Sequence, residues 1–237
     1  MSEFDLIDLI RSRSAKNPHQ DVELGIGDDA AVVQVSPGLR MVACADTLLE
    51  DKHFFAGTDP QYIGHKALAV NLSDLAAMGA KPRWALLCLS LPRADRVWLT
   101  SFIDGFFELA DRYQVALIGG DTVQGPLSVT VQLLGEINSH HIMSRSAAQA
   151  GDDIWVSGSL GDAACAVERI KNGQPCPQAL SVRLNQPQAR VALGQSIATF
   201  ANACIDLSDG LSSDLRHVLS ASQCGANVHL DRLPLSD

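Results

Sequence analysis

The stretch from Asp59 to Ala80 limits the possible folds more than any other part of the chain. Asp59-Pro60 places a capping carboxylate before a proline suited to a first helical turn, and Tyr62, Ile63, Ala67, Leu68 and Val70 recur at helical spacing behind it. This helix carries toward Asn71 and Met78. Trp84 to Leu91 reads as a strand, Asp95 to Tyr113 as a helix with Val97, Phe102, Phe106 and Leu109 inward, and Val115 to Ile118 as a strand running into Gly119-Gly120-Asp121. Leu127 to Ile137 alternates loosely and is a further strand.

Upstream, an amphipathic helix begins near Ser2, with Leu6, Ile7, Leu9 and Ile10 on one face, and Asn17-Pro18 ends it. Ala30 to Val35 and Leu39 to Ala45 are expected strands about the Ser36-Pro37-Gly38 turn, the second ending on Asp46. The polar Asn138-Ser139-His140-His141 and the small residues from Ala147 to Gly151 mark a boundary, so the expected domains are 1–138 and 139–237. Beyond it the pattern predicts strands at Asp153–Val156, Ala203–Leu207 and Ala226–Leu230, and helices at Leu160–Asn172, Gln186–Phe200 and Ser212–Ala221. No closing element follows, and the second domain reads as incomplete. The Leu-Ser-Asp core of 71–75 returns in 206–211, which two related half-domains or chance would explain.

A formal net charge of -9 removes the electrostatic attraction on which most nucleic-acid binders depend. An acidic protein still binds phosphate compounds when divalent cations stand between its carboxylates and the ligand. The six cysteines include no C-x-x-C pair, several lie in apolar runs, and none of those runs approaches the ~20 residues of a membrane span, so a cytoplasmic protein with reduced thiols is expected.

Standard nucleotide motifs fail on inspection. Gly120 to Gly125 has P-loop glycine spacing, but Pro126 stands where the lysine belongs. Gly25-Ile26-Gly27 opens like a dinucleotide fingerprint, yet Ala30 takes its last glycine position. What remains is a series of aspartates at the ends of elements: Asp28, Asp29, Asp46, Asp74, Asp121, Asp206 and Asp209. Each alone reads as a cap or turn residue. Together they make a hard-oxygen set suited to magnesium, which takes one or two carboxylates plus phosphate oxygens and water. His53 fits a substrate-facing or a surface histidine, Arg145 a phosphate clamp or a solvated charge, and Ser208 a nucleotide contact or a helix cap. His140-His141 has no partner at metal-ligand spacing.

Five segments, Gly25 to Ala30, Asp46-Thr47-Leu48, Lys66 to Ala80, Gly119 to Thr122 and Ile205 to Leu211, resemble the thiamine-monophosphate kinases, in order, from about Glu23 to the chain's end. The resemblance implies an α+β fold, an α/β sandwich of two domains, shared with aminoimidazole ribonucleotide synthetase. The N-terminal mixed sheets of two subunits would join into a barrel, giving a homodimer. It also implies ATP as co-substrate, thiamine monophosphate as acceptor and several magnesium ions. Asp29, Cys44, Ala45, Asp46, Asp74, Asp121, Asp206 and Asp209 would hold the metals, and Gly120, Asp121, Arg145 and Ser208 would contact ATP. His53 would contact the acceptor, with Asp46, Asp121 and Arg145 in the catalytic roles. Cys44 and Ala45 stand where the family often carries hydroxyl residues, so a metal contact at Ala45 must use its carbonyl. Two competing readings are a sister ATP-using synthetase and an acidic, metal-stabilised binding protein without turnover. Selenophosphate synthetases carry a reactive Cys or selenocysteine near a glycine-rich N-terminus, which this chain lacks.

Overall fold

The computed structural model describes residues 3–140 and 142–236, so the expected helix start at Ser2, His141 of the surface pair and the final Asp237 lie outside the described residues. Helix α1 spans Glu3–Ser14 and is followed by two short antiparallel strands, β1 (Val22–Leu24) and β2 (Val32–Val33). The principal sheet contains β3 (Arg40–Leu49), β4 (Lys81–Leu91), β5 (Ala116–Gln124) and β6 (Ser128–Ile137) in the order β3-β6-β4-β5. β6 runs antiparallel to both neighbours, and β4 and β5 are parallel, joined through helix α3 (Arg96–Tyr113). The sheet is mixed because the α3 crossover sets β5 parallel to β4, and the chain then reverses so that β6 inserts antiparallel between β3 and β4.

Helices α2 (Pro60–Ala77) and α3 pack side by side on one face. The Asp59 carboxylate accepts the Gln61 N–H at 3.0 Å and Asp95 accepts those of Val97 and Trp98 at 3.0 and 3.1 Å, so both starts are capped. Their crossing is close: a Cβ on Gly64 would stand 2.0 Å from the Phe102 carbonyl oxygen. Leu68, Leu72, Leu75, Phe102, Phe106, Val129, Val131 and Leu133 fill the space between helices and sheet and are essentially inaccessible. The opposite face is covered at one end, where Val22, Val33 and Val35 pack on Trp84 and Ile118. Buried Glu136 ties that cover down, accepting the Ser36 N–H at 2.6 Å and hydroxyl at 3.1 Å. Along β3 the same face is open, with Met41 and Leu49 exposed.

In the second half, helices α4 (Asp162–Lys171), α5 (Gln178–Asn185), α6 (Val191–Ile197) and α7 (Leu211–Ser222) precede a 3-10 turn at Leu230–Arg232. The His65 ring bonds the Pro187 carbonyl at 3.2 Å, Tyr113 donates to that of Ala189 at 3.1 Å and Gln195 to that of Ala80 at 3.3 Å. These contacts dock the half against α2 and α3.

Several local expectations are corrected. The strand expected to end on Asp46 continues to Leu49, because its ladder with β6 continues to Ser128. The helix expected over Gln186–Phe200 is confined to α6, because Pro187 lacks the N–H a helix interior needs, and α5 forms ahead of it, in a stretch expected to be a connection. The segments 153–156, 203–207 and 226–230 carry strand-like composition but form no ladder among the described residues. Composition alone makes no strand; a pairing neighbour does. No helix among the described residues is long and apolar enough to cross a membrane.

Candidate active site

Strand alternation decides which β3 side chains face α2. Val42, Cys44, Asp46 and Leu48 are the more covered positions, and the Cys44 thiol lies 3.5 Å from the Asn71 carbonyl oxygen of α2. Asn71 is fully buried and donates to the Ala67 carbonyl at 3.0 Å, which fixes its side chain within the helix. One helical turn further on, Asp74 comes into hydrogen-bonding contact with the same thiol. Asp46 sits two residues beyond Cys44 on the same strand face, paired with Val131 of β6.

A third carboxylate arrives from the second half. Asp206 lies near enough to repel both Asp46 and Asp74, and the Ser73 hydroxyl of α2 bonds to it. Burial first, and then this repulsion, pushes Asp74 up to about 6 and raises Asp46. Asp206 is raised chiefly by burial, with buried Asp214 adding repulsion. Burial and the neighbouring Asp74 and Asp46 push the Cys44 thiol far up, toward its neutral form. Two cationic or dipolar groups oppose the negative charge: Arg145 favours the ionised forms of Asp74 and Asp206, and His53 that of Asp46.

The loop carrying His53 is tightly wired. The Leu49 N–H donates to His53 Nδ1 at 2.9 Å, so the neutral ring carries its proton on Nε2. On the far side, Ser208 and Asp209 both donate their backbone N–H groups to Asp214, at 3.0 and 3.2 Å, and Ser222 donates to the Arg145 carbonyl at 2.8 Å. Helix α7 therefore holds the two segments that bring Asp206 and Arg145 to the sheet.

The structure thus unites Asp46, Asp74, Asp206, Cys44, His53 and Arg145. Asp29 is exposed, and its N–H bonds only weakly to Asp28, at 3.3 Å. Asp121 accepts the Thr122 N–H at 2.9 Å and pairs with Cys88, which in turn pairs with Thr130 and, through it, Thr47. That row alternates with the row of Asp46, so Asp121 stands on the open sheet face together with Ala45. Gly120 lies at φ 146°, and a Cβ there would meet the Leu87 carbonyl oxygen at 1.8 Å, so the backbone before Asp121 tolerates only glycine. Asp209 is exposed at the entrance to α7. Among the described residues, no three His, Cys, Asp or Glu side chains form a metal-holding group by themselves. The donor set therefore does not fit a closed protein cage. Half-buried carboxylates that repel one another do fit magnesium shared with phosphate oxygens and water.

Sequence reasoning left Ser73, Asn71 and Asp214 without roles. Ser73 and Asn71 lie within the quoted Asn71–Asp74 motif, where helical spacing would have placed them on the sides of Asp74. Asp214 carried no signal beyond an acidic residue in the first turn of a helix.

Helices on one face of a mixed sheet, with acids from both halves converging beside it, define a class: residues 27–137 match the AIR synthase related protein, N-terminal domain. Across its length the chain is 44% identical to the thiamine-monophosphate kinase of Escherichia coli (strain K12) over 240 residues, covering 99% of this chain and 74% of that protein. The crystal structure of thiamine-monophosphate kinase from Stenotrophomonas maltophilia K279a superposes with TM-score 0.90 at 47% identity, covering 100% of this chain and 77% of that one. AaThiL complexed with AMPPCP and TMP superposes with TM-score 0.80 at 32% identity, covering 99% and 75%. The chain belongs to the thiamine-monophosphate kinase family, and is accordingly a kinase.

Proposed function

We propose that this chain transfers the γ-phosphoryl group of ATP directly to the phosphate of thiamine monophosphate, forming thiamine diphosphate and ADP, with several magnesium ions at the site. The observation that carries the reading is the convergence of Asp46, Asp74 and Asp206 with Arg145 and His53, in a chain similar to a kinase structure that holds AMPPCP and TMP.

The acceptor is a phosphate monoester whose second pKa is about 6, so near neutral pH it is largely a dianion and needs no general base. The obstacle is the approach of two anions. Asp46, Asp74 and Asp206, with Asp29, Asp121 and Asp209, would hold the magnesium, which would supply positive charge against the two phosphates. Ala45 would contribute only its carbonyl. Arg145 offers a planar fork of donors to the transferring group, and Ser208 and the Gly120 backbone contact the nucleotide. The Nε2–H of His53 donates to the acceptor. Transfer is in line, from ATP directly to the acceptor dianion.

The open β3 side of the sheet, where Met41 and Leu49 are exposed, supports a homodimer in which two such sheets close into a barrel. We assign residues 1–138 to the domain that binds ATP and dimerises, residues 139–237 to the second domain, and the whole to the cytoplasm. Incubation with ATP, thiamine monophosphate and graded magnesium tests the function: thiamine diphosphate must accumulate in step with ADP, and only when metal is present. ADP release without that product would point to a sister ATP-using synthetase, and binding without ADP to a protein that does not turn over. Chiral phosphate analysis must show inversion; retention would replace direct transfer with a phosphoenzyme route.

A further inference from the structure

Lys66 lies on α2 among apolar residues and is 7% exposed. Its ammonium has three donors, yet among the described residues it makes one hydrogen bond, to the carbonyl oxygen of His53 at 3.2 Å. Burial alone pulls it down to about 8, so the charge is kept at a cost that an apolar residue would avoid. Helical spacing sets Lys66, Val70, Ser73 and Asp74 along one side of α2, the side that carries the acidic cluster. The helix cannot retreat from this position, since Gly64 is pressed against the Phe102 carbonyl.

The loop that Lys66 holds is under strain. Asp51 adopts φ +62°, a left-handed conformation uncommon outside glycine. Around it the chain turns back on itself: the Asp51 N–H donates to the Phe54 carbonyl at 2.8 Å and the His53 N–H to that of Leu49 at 2.9 Å. Phe54 is buried and anchors one end. With the His53 N–H and Nδ1 both turned inward onto Leu49, the His53 carbonyl is what remains for an outside group to grip, and Lys66 grips it.

We propose that Lys66 is a positioning residue for the acceptor site: by bonding the His53 carbonyl it holds the strained 49–54 loop so that the imidazole faces the phosphate of the acceptor. The proposal rests on the reading of His53 as an acceptor contact. A purely structural lysine would act on stability or on both substrates alike, whereas this one must act on the acceptor through His53.

The test compares wild type, Lys66→Met, Lys66→Arg, His53→Ala and the Lys66→Met/His53→Ala double variant, with Mg-ATP and thiamine monophosphate varied separately. Methionine matches lysine in length and removes a buried charge, so the variant is expected to fold. Lys66→Met should raise the KM for thiamine monophosphate by about tenfold or more while the KM for ATP stays within about twofold. The arginine variant should recover part of the loss, and the double variant should be no worse than His53→Ala. Hydrogen exchange gives a readout independent of turnover: the Leu49, Asp51 and His53 amides should lose protection in Lys66→Met while those of α3 keep theirs. Equal changes in both KM values, or unchanged exchange in the loop, would overturn the proposal. If wild type forms no thiamine diphosphate, the assigned function falls, and the exchange result still decides whether Lys66 holds the loop.

Discussion

The Asp214 carboxylate, 2% exposed in the first turn of α7, accepts the backbone N–H of Ser208 at 3.0 Å. The same oxygen takes the Asp209 N–H, so a single side chain shapes the turn that follows Asp206. Its own negative charge adds to the repulsion on Asp206, which is tolerable only because these donors and the positive end of the α7 dipole stand beside it. Replacing Asp214 by alanine orphans two N–H groups, each bond to a charged acceptor being worth about 1.5–3 kcal/mol. Asp214→Ala should therefore lose several kcal/mol in urea unfolding, and magnesium-dependent turnover should fall with it. Asp214→Asn, which keeps an acceptor oxygen, should retain most of the stability. Equal losses in the two variants would show that charge, rather than the shape of the turn, is what Asp214 provides.

A second prediction concerns the cost of the acidic cluster. Asp74 is raised by burial and by its neighbours Asp206 and Asp46, so neutralising it relieves strain in the metal-free protein. Asp74→Asn and Asp46→Asn should melt higher than wild type in chelator. Both should lose at least about a hundredfold in kcat, because an amide cannot replace a carboxylate in holding magnesium. Added magnesium with an ATP analogue should raise the melting temperature of wild type more than that of either variant. The idea fails if the variants melt lower than wild type without metal and respond to magnesium as fully. Asp121→Asn serves as a separate probe of the open sheet face: near-normal activity there and in Asp46→Asn would remove both from the site.

Third, the α2–α3 crossing leaves no room at Gly64. A methyl group there would meet the Phe102 carbonyl oxygen at 2.0 Å, so the helices must separate. Overpacking of this kind costs about 1–3 kcal/mol, and backbone obstruction sets Gly64→Ala at the upper end or beyond. Denaturant unfolding should show an earlier midpoint with an unchanged slope. Since α2 carries Lys66, Ser73 and Asp74, any folded fraction should also show a raised KM for the acceptor. A midpoint equal to that of wild type would mean that the crossing is looser than its geometry indicates.

The parts of the fold that could be read from sequence are those that periodicity determines locally. Asp59-Pro60 and Asp95 announce α2 and α3, and the apolar runs of 84–91 and 127–137 announce β4 and β6, because burial against a neighbour repeats at a regular spacing. The segments 153–156, 203–207 and 226–230 have the same composition without the ladder, since pairing depends on a partner strand that composition does not reveal. The site divides in the same way. Asp46 and Asp74 stand out in the sequence as acids at or within motifs, but their meeting with Asp206 depends on the second half docking through the Pro187 and Ala189 carbonyls, which no spacing encodes. Asp121 was grouped with Asp46 by residue type, whereas strand register sets them on opposite faces. The roles of Asp214 and Lys66 were hidden because each acts on a backbone group, and backbone groups are present at every position.

The last prediction follows from Lys66 and concerns pH. Its folded pKa lies near 8, against an ordinary 10.5. Below about pH 8 the residue is charged whether folded or unfolded, so the folded protein bears the full cost of burying the ammonium. Between 8 and 10.5 the unfolded chain binds the proton while the folded one has released it, so stability must rise with pH across that window. Other groups titrate in the same range, so the informative quantity is the difference in unfolding free energy between wild type and Lys66→Met. That difference should be level below about pH 8 and should then move in favour of wild type by roughly 3 kcal/mol as pH approaches 10.5. Near pH 7 the methionine variant should accordingly be the more stable protein and the poorer enzyme, separating the function of the lysine from any contribution to folding. A difference that stays flat throughout would show that the ammonium is solvated in the folded state, and the burial argument for its role would go with it.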